Sequence, residues 1–265
     1  MNPARTKSNT LIGSHMADDE SALGQLYENI MYKDLFGDGN MVGKYMLGKP
    51  GLDGLQPYQL KDYSDQGNHV NARGLDYYGL FDGTDDEMSV TLGTDLDNWG
   101  SGTSFVCFWF LALSDGEGNV GIIVSIGNTS TGGRGIDFVT RGESSGTFTL
   151  SINQQFATTD SRWDITGVSL YEWHFFAMEL DATNATTADS LKVWLDGVEK
   201  TLGNGVDEIT AADGNGAFGS SGDLLHVGDS TNDTRAYDGG VHGFGMKCGS
   251  TLTQAQIDSL YCLGS

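Results

Sequence analysis

Short apolar runs separated by glycine, asparagine and aspartate fill this chain from about residue 40 onward. They include SFVCFWFLAL (104–113), GIIVSIG (121–127), WHFFAMELD (173–181) and LKVWLDG (191–197). Turn residues interrupt them every 10–20 residues or so, a spacing typical of an antiparallel β sandwich. Thirty-nine glycines and only three prolines suit the tight turns that such short strands need. The run 104–113 is apolar on both faces, which predicts a central strand covered on both sides.

The first 39 residues follow a different pattern. Residues 1–16 are polar and predict an extended arm, and residues 17–36 predict an amphipathic helix. Its apolar side chains recur at helical spacing and form one stripe: Leu23, Leu26, Tyr27, Ile30 and Met31. This stripe packs either on the protein's own sheet or on a neighbouring subunit. We therefore divide the chain into an anchoring segment, 1–39, and a β sandwich, 40–265.

Charge separates the arm from the rest of the chain. The formal net charge is −22, which argues against binding nucleic acid through its phosphates. The first sixteen residues nevertheless carry Arg5 and Lys7 and no acid. A basic arm on an acidic body indicates attraction between neighbours in an assembly, although an ordinary solvated terminus fits equally well.

The sequence predicts neither membrane insertion nor ordinary secretion. No apolar run approaches the roughly 18–20 residues that span a bilayer, and MNPARTKSNTLIGSHMADDE contains no signal-peptide core. For a protein that acts outside a cell, we expect release by another route, such as lysis.

A capping box predicts a helix at the end of the chain, whereas the spacing of the three cysteines predicts no definite disulfide. Thr253 and Gln256 form a capping box that predicts a short helix to about Tyr261. Cys107 falls in an apolar run and predicts a core residue. Cys248 and Cys262 could form a disulfide only if the helix folds back on the last strand, and the sequence leaves this open.

The order of segments resembles a known family. The pieces that carry the likeness are DYSDQGNHVNARG (62–74), GLFDGTDDEMSV (79–90), the WH…LDG hairpin (173–197), AYDGGVHGFGM (236–246) and LTQAQIDSLY (252–261). Together they resemble laminin-G-like jelly rolls of the concanavalin A-like lectin/glucanase superfamily. The resemblance implies an all-β fold, a two-sheet antiparallel jelly-roll sandwich over residues 40–265. It says little about function, because lectins, hydrolases, adhesion modules and virion proteins share the fold.

The acidic turn FDGTDDEMSV (81–90) has two interpretations. The resemblance implies that this turn packs against the final strand, and some relatives bind Ca²⁺ there. Calcium takes six to eight oxygen ligands, and the implied ligands are Asp82, Asp85 and Asp238. In the other interpretation this is an ordinary turn, in which aspartates accept backbone N–H groups and Gly83 supplies a positive φ.

A catalytic site is not predicted. The hydrolase branch of the superfamily carries Glu-x-Asp-x-x-Glu on one strand, and the nearest match here is Glu179-Leu180-Asp181-Ala182-Thr183-Asn184. Asn184 stands where the final Glu would act as general acid, and an amide cannot donate a proton in that way. Glycoside hydrolysis is therefore the weakest of the functional hypotheses.

A glycan site needs an aromatic side chain together with polar groups that fix the orientation of the sugar. Trp163, in a predicted loop with Asp160, Arg162 and Asp164, is the best candidate, and Trp99 is the second. The alternative is that both tryptophans fold onto the core.

These observations favour a non-enzymatic surface protein of a larger assembly. The preferred hypothesis is a virion accessory protein of a tailed virus, a capsid decoration or fibre that presents a lectin-like domain on the virion surface. Its expected partners are other structural proteins of the particle or copies of itself, together with cell-surface glycan. The alternative is a glycan-binding adhesion module, with or without Ca²⁺.

Overall fold

The computed structural model of the protein describes residues 41–45, 59–60, 70–73, 80–93, 103–127, 135–155, 160–181, 191–210, 223–229, 235–249 and 251–264. All of them belong to the second of two units into which backbone contacts divide the chain, Gly39–Ser265. The predicted arm and helix lie outside the described residues. The anchoring role of Arg5, Lys7, Leu23, Leu26, Tyr27, Ile30 and Met31 therefore stays a prediction.

Sixteen strands lie in the described part of the chain. They are β1 (Met41–Tyr45), β2 (Gln59–Leu60), β3 (Val70–Arg73), β4 (Leu80–Asp82), β5 (Glu87–Gly93), β6 (Ser104–Ala112), β7 (Val120–Gly127), β8 (Gly135–Ser144), β9 (Thr147–Gln155), β10 (Ser161–Ser169), β11 (Trp173–Leu180), β12 (Lys192–Leu195), β13 (Val198–Leu202), β14 (Gly205–Thr210), β15 (Asp223–Val227) and β16 (Asp238–Lys247). A 3₁₀ turn, Glu117–Asn119, precedes β7, and helix α1 (Gln254–Gly264) follows β16. The predicted all-β class is confirmed.

The strands form two antiparallel layers. The smaller sheet has the order β1-β16-β6-β11-β12-β13, with β4 also paired to β16, and the larger has the order β14-β10-β9-β8-β7-β15-β5-β3-β2. A two-residue parallel pairing of β13 with β14 joins the layers at one edge. About half of the strand pairs join strands that are distant in sequence, such as β16 with β6 and β15 with β7, as in a jelly roll.

The core lies between the layers and follows the two-residue alternation of the strands. Phe108 on β6 and Phe176 on β11 point inward from the smaller sheet, and Phe138 on β8 points inward from the larger. Phe108 lies 5.3 Å from Phe138 and 5.2 Å from Phe176 between ring centroids, and Phe138 and Phe176 are also 5.2 Å apart. This three-ring contact connects the two sheets through their central strands.

Helix α1 covers part of the outer face of the smaller sheet. Tyr261 stacks on Trp109 with centroids 5.6 Å apart and planes 9° apart, and Ile257 and Leu260 are buried. The capping box is confirmed, because the backbone N–H of Thr253 donates to the side chain of Gln256 at 2.9 Å. The cover explains why 104–113 is apolar on both faces, as predicted.

Glycine is needed at two turns, where the backbone has a positive φ or passes very close to another side chain. Gly228, after β15, has φ +94°, and a Cβ there would lie 2.1 Å from the ring of Phe81. The hairpin between β12 and β13 turns at Asp196-Gly197, both with positive φ, as the sequence predicted. Such positions favour glycine because it has no Cβ to clash.

The described residues contain neither a disulfide bond nor a helix that could span a membrane. Cys107, Cys248 and Cys262 are all thiols, so Cys248 and Cys262 are not joined. Burial raises the pKa of Cys107 to about 12, as expected for an inert core thiol. No described helix is long and apolar enough to cross a bilayer.

Candidate functional site

The residues of the predicted glycan site lie on opposite faces of one strand. Residues 161–169 form β10 rather than a loop, so successive side chains point to opposite faces. Trp163 points into the core with 0% of its surface exposed, while Arg162 and Asp164 lie on the outer face of the larger sheet. The loop prediction is wrong, and Trp163 cannot stack on a sugar. Asp160 is exposed just before the strand, and Trp99 lies outside the described residues.

Arg162 and Asp164 belong to a polar outer face of the larger sheet. The guanidinium of Arg162 donates from Nε to Oδ1 of Asp164 at 2.8 Å and from Nη2 to Oδ2 at 2.6 Å. The hydroxyl of Ser151 donates to the same Oδ1 at 2.6 Å. Asp164 therefore accepts three hydrogen bonds from protein donors, two of them in a bidentate ion pair of the stronger kind.

A line of polar residues crosses this face in register. Adjacent strands place Ser89, His226, Ser125, Asp137, Asn153 and Arg162 side by side on β5, β15, β7, β8, β9 and β10. The apolar residues of the same strands face the core. Ser125, Asp137 and His226 are buried, so this line is a largely covered polar layer. It was not predicted, because its members come from six separate strands.

Asp137 is the most unusual acid of this line. It is 4% exposed, and burial raises its pKa to about 6, against the hydrogen bond from Ser125 and the charge of Arg235. Its Oδ1 has no hydrogen-bond partner among the described residues. A buried oxygen without a donor costs free energy, roughly 1–3 kcal/mol, unless a ligand or water supplies one.

The acidic turn connects β4 to β5. The carboxylate of Asp82 accepts the backbone N–H of Thr84 at 2.9 Å, and Asp86 accepts the N–H of Asp82 at 3.0 Å. Gly83 has φ +74° and packs against Asp238 on β16, where a Cβ would lie 3.0 Å away. The turn therefore has the capped geometry that the sequence predicted, packed against the last strand.

The turn also brings carboxylates together. Asp82, Asp85 and Asp86 each offer an oxygen, and the three oxygens lie within 4.8 Å of one another. Asp86 was not among the predicted ligands, and Asp238 lies opposite Asp82 in the strand register. Each carboxylate can accept a backbone N–H and still bind a cation, since it has about four lone-pair sites. The donor set fits a hard, oxygen-binding ion.

Exposed apolar side chains form a row at one end of the smaller sheet. Leu80, Gly240, Leu111 and Trp173 are register partners on β4, β16, β6 and β11, and we call them the aromatic strip. Trp173 is 45% exposed and Leu80 37% exposed. Gly240 has no side chain between them, and a Cβ there would lie 2.8 Å from the Trp173 ring. Tyr171, 66% exposed, lies in the turn just before Trp173.

Sequence reasoning missed the aromatic strip. In the sequence Trp173 and His174 belong to the WH…LDG motif that carries the family resemblance. Of these two residues only His174 is buried. The alternation within WHFFAMEL could have indicated the strip, because it puts Trp173 and Phe175 on the same face of the strand. Phe175 is covered by Tyr261 of α1, with centroids 6.2 Å apart, whereas Trp173 is not.

The nearest match to a hydrolase motif has a structural role. Glu179 is 1% exposed, accepts the backbone N–H of Leu252 and lies 3.4 Å from the Lys192 ammonium group. Burial raises the pKa of Glu179, and the charge of Lys192 opposes the rise. A polysaccharide cannot reach the carboxyl group of Glu179, because this group is buried and bound to Leu252, the residue before the C-terminal capping box. Asn184 lies outside the described residues.

Comparison with solved structures identifies the fold. The chain is similar to the binding domain of botulinum neurotoxin serotype D, with a TM-score of 0.57 and 14% identity over 84% of this chain. It is also similar to a botulinum neurotoxin type C structure whose description concerns cell entry dependent on two ganglioside molecules (TM-score 0.55, 10% identity, 85% of this chain). This chain spans about half the length of each of these two toxin chains, 51% in both cases.

A third similar structure matches over nearly its whole length. Domain 4 of an extracellular arabinanase from Geobacillus stearothermophilus, solved with arabinotriose, has a TM-score of 0.54 and 14% identity. The match covers 84% of this chain and 99% of that domain. No family model and no curated protein sequence matches this chain. At such identities the likeness shows the jelly-roll fold alone.

The buried Asp137 makes stability depend on pH. The folded protein keeps the proton of Asp137 up to about pH 6, whereas the unfolded carboxyl ionises near its ordinary pKa of 3.8. The folded state therefore binds more protons within this window, and the stability contributed by Asp137 falls as pH rises through it. We expect Asp137→Asn to gain about 1.4 kcal/mol of unfolding free energy relative to wild type between about pH 5 and about pH 8. Urea unfolding of both proteins measures this, and parallel stability curves would contradict it.

Proposed function

We propose that this chain is a non-enzymatic, lectin-like module that binds glycan, and that its jelly roll is of the laminin-G-like type. The observation that carries the proposal is the aromatic strip, where Trp173 is 45% exposed beside a glycine in a regular sheet. The similar structures support it only through their fold and their own descriptions, which name gangliosides for a toxin and arabinotriose for an arabinanase domain.

The chemistry of the strip suits a sugar ring. An indole face attracts the weakly positive C–H groups on one face of a sugar, and adjacent apolar side chains extend the contact. The absent side chain at Gly240 leaves room for the Trp173 ring and Leu80, which both lie over this glycine and form one apolar surface. Trp173 therefore supplies the stacking surface that was assigned to Trp163 on sequence grounds.

Polar groups that could orient the sugar lie next to the strip. Asp82 is two residues from Leu80 on β4, so both side chains share one face about 7 Å apart. Asp238 stands in the same relation to Gly240 on β16. Their carboxylates accept hydrogen bonds from hydroxyl groups and repel anions. This surface therefore favours a neutral glycan.

Replacing the tryptophan tests this proposal. We expect Trp173→Ala to weaken neutral-glycan binding roughly tenfold or more, because the stacking surface is lost. A glycan array followed by calorimetry measures the change. The matched control is Val198→Ala, which removes an exposed apolar side chain from β13 and should leave affinity unaltered. Failure of the wild-type protein to bind any glycan, or equal binding by Trp173→Ala, would show the proposal to be wrong.

We also propose that the acidic turn binds Ca²⁺ through Asp82, Asp85 and Asp86, with Asp238 as the neighbouring acid. Bound Ca²⁺ would offset part of the charge of these four carboxylates, which would stay net negative, and would hold the turn against β16. The ion would thereby fix the edge of the glycan surface.

Thermal unfolding in millimolar Ca²⁺ and in chelator tests the ion site. We expect Ca²⁺ to raise Tm, since a ligand that binds only the folded state stabilises it. Asp85→Asn should abolish the rise, because it replaces one of the three clustered carboxylates by a neutral amide of nearly the same size. Glu208→Gln, an exposed acid on β14, is the control. An equal Tm in Ca²⁺ and chelator would rule the site out.

A second candidate function concerns assembly. We propose that the chain is a virion accessory protein of a tailed virus, displayed on the virion surface and anchored by residues 1–39. Support comes from the sequence of that segment, in which a basic arm and an apolar helical stripe precede a strongly acidic domain. Its partners would be other structural proteins of the particle or further copies of this chain.

Deleting residues 1–36 separates the two roles. We expect the shortened protein to be missing from purified particles while its jelly roll still binds glycan, because the strip lies wholly within β4, β6, β11 and β16. Quantitative immunoblotting of particles measures incorporation. Arg5→Gln with Lys7→Gln is the milder variant that tests the charge alone. Normal incorporation of the deletion protein would refute the anchoring role.

A further inference from the structure

Tyr171 has an unusual backbone conformation. It lies in the connection between β10 and β11, residues 170–172, which leads from the larger sheet to the smaller one, and its φ is +66°. The other non-glycine residues with a positive φ in the described part of the chain are Asn119, Ser145 and Asp196, all with small polar side chains. Asparagine and aspartate tolerate this conformation, whereas it is unfavourable for a residue with a bulky side chain.

Hydrogen bonds to both sheets hold the connection in this conformation. The backbone N–H of Leu170 donates to the carbonyl of Gly146, between β8 and β9 of the larger sheet, at 2.9 Å. The backbone N–H of Tyr171 donates to the carbonyl of Ala112, on β6 of the smaller sheet, also at 2.9 Å. An unfavourable φ persists only where the surrounding structure over-determines it, and two successive backbone hydrogen bonds to different sheets do so here.

His174 fixes the start of the same connection. Its buried imidazole places Nε2 3.0 Å from the carbonyl oxygen of Ser169 and Nδ1 2.8 Å from Oδ2 of Asp196. Asp196 lies in the hairpin turn between β12 and β13. A third element of the fold therefore helps to hold the backbone on which Tyr171 is presented.

The packing of the core does not explain a tyrosine at this position. Leu170 supplies the buried apolar side chain of the connection, whereas Tyr171 is the most exposed large apolar residue in the described part of the chain. A glycine would suit the positive φ better because it has no Cβ. We therefore attribute the tyrosine ring to a contact with something outside the fold.

Tyr171 lies at the end of the aromatic strip. The Cα atoms of Tyr171 and Trp173 are two residues apart and thus separated by no more than about 7 Å. The Trp173 ring lies over Gly240, and part of it remains open to solvent. The exposed apolar surface therefore runs from Leu80 across Trp173 and ends beside a second aromatic residue. A glycan longer than one sugar unit can contact both rings.

We propose that Tyr171 stacks on a second sugar unit of the glycan bound at Trp173, so that the site selects neutral oligosaccharides over single sugars. This inference rests on the proposed glycan function of the aromatic strip. A backbone that is already fixed has less freedom to lose on binding, which favours affinity. The exposed carboxylate of Glu172, between the two aromatic residues in the chain, adds to those of Asp82 and Asp238 and disfavours acidic sugars.

Titration of the full chain with neutral sugars of two lengths tests the proposal. The probes are linear trisaccharides of glucose, galactose, mannose and arabinose and the methyl glycosides of the same sugars, with affinities from calorimetry and NMR. In a series that binds, we expect the trisaccharide to bind wild type roughly tenfold more tightly than the methyl glycoside, because it gains a second stacking contact.

Replacing Tyr171 should remove most of this advantage. Tyr171→Gly should weaken trisaccharide binding several-fold and methyl glycoside binding much less, and Tyr171→Phe, which keeps the ring, should restore most of the trisaccharide affinity. Glycine accepts the positive φ, so we expect Tyr171→Gly to fold, and Tyr171→Asn is the second variant if it does not. Val198→Ala, which changes an exposed apolar residue on β13, is the control.

The outcomes distinguish this inference from the proposed function. Equal wild-type affinity for both lengths, or an unchanged advantage in Tyr171→Gly, overturns the role of Tyr171 and leaves a glycan site at Trp173. A Tyr171→Phe protein as weak as Tyr171→Gly overturns stacking by this ring. Trp173→Ala should weaken both lengths. If it weakens neither, or if wild type binds no sugar in any series, the proposed glycan function is wrong and this inference with it.

Discussion

The contact of Phe108, Phe138 and Phe176 between the two sheets sets which faces of β6, β8 and β11 point into the core. These rings come from β6, β8 and β11 and bury the faces on which they lie. Once Phe138 points inward, Asp137 must point outward, because successive strand residues face opposite ways. A one-residue slip would bury the polar line and expose the rings. The strong preference for burying aromatic surface thus fixes the polar surface as well.

The sequence could predict what is local. The alternation, the glycine turns, the capping box and the hairpin at Asp196-Gly197 are all set by residues a few positions apart. The largest error was also local. DSRWDITG contains two aspartates and a glycine, which favour a loop, yet it forms the start of β10. Its pairing with β9 on one side and β14 on the other outweighs its weak strand propensity.

The candidate sites could not be predicted because they depend on register between distant segments. Leu80, Leu111, Trp173 and Gly240 span 160 positions and become neighbours only through strand pairing. In the sequence these four residues are far apart and carry no common motif. Only the order of strands in the two sheets brings them together.

Helix α1 determines which part of the smaller sheet meets solvent. Tyr261 covers Trp109 and Phe175, and the uncovered residues Leu111 and Trp173 come two positions after and two before them on the same strands. One continuous apolar face is therefore half covered by the protein's own helix and half exposed. The covered half shows that the sheet needs a partner surface there. The exposed side chains of Trp173 and Leu80 next to it form the surface on which our glycan proposal rests.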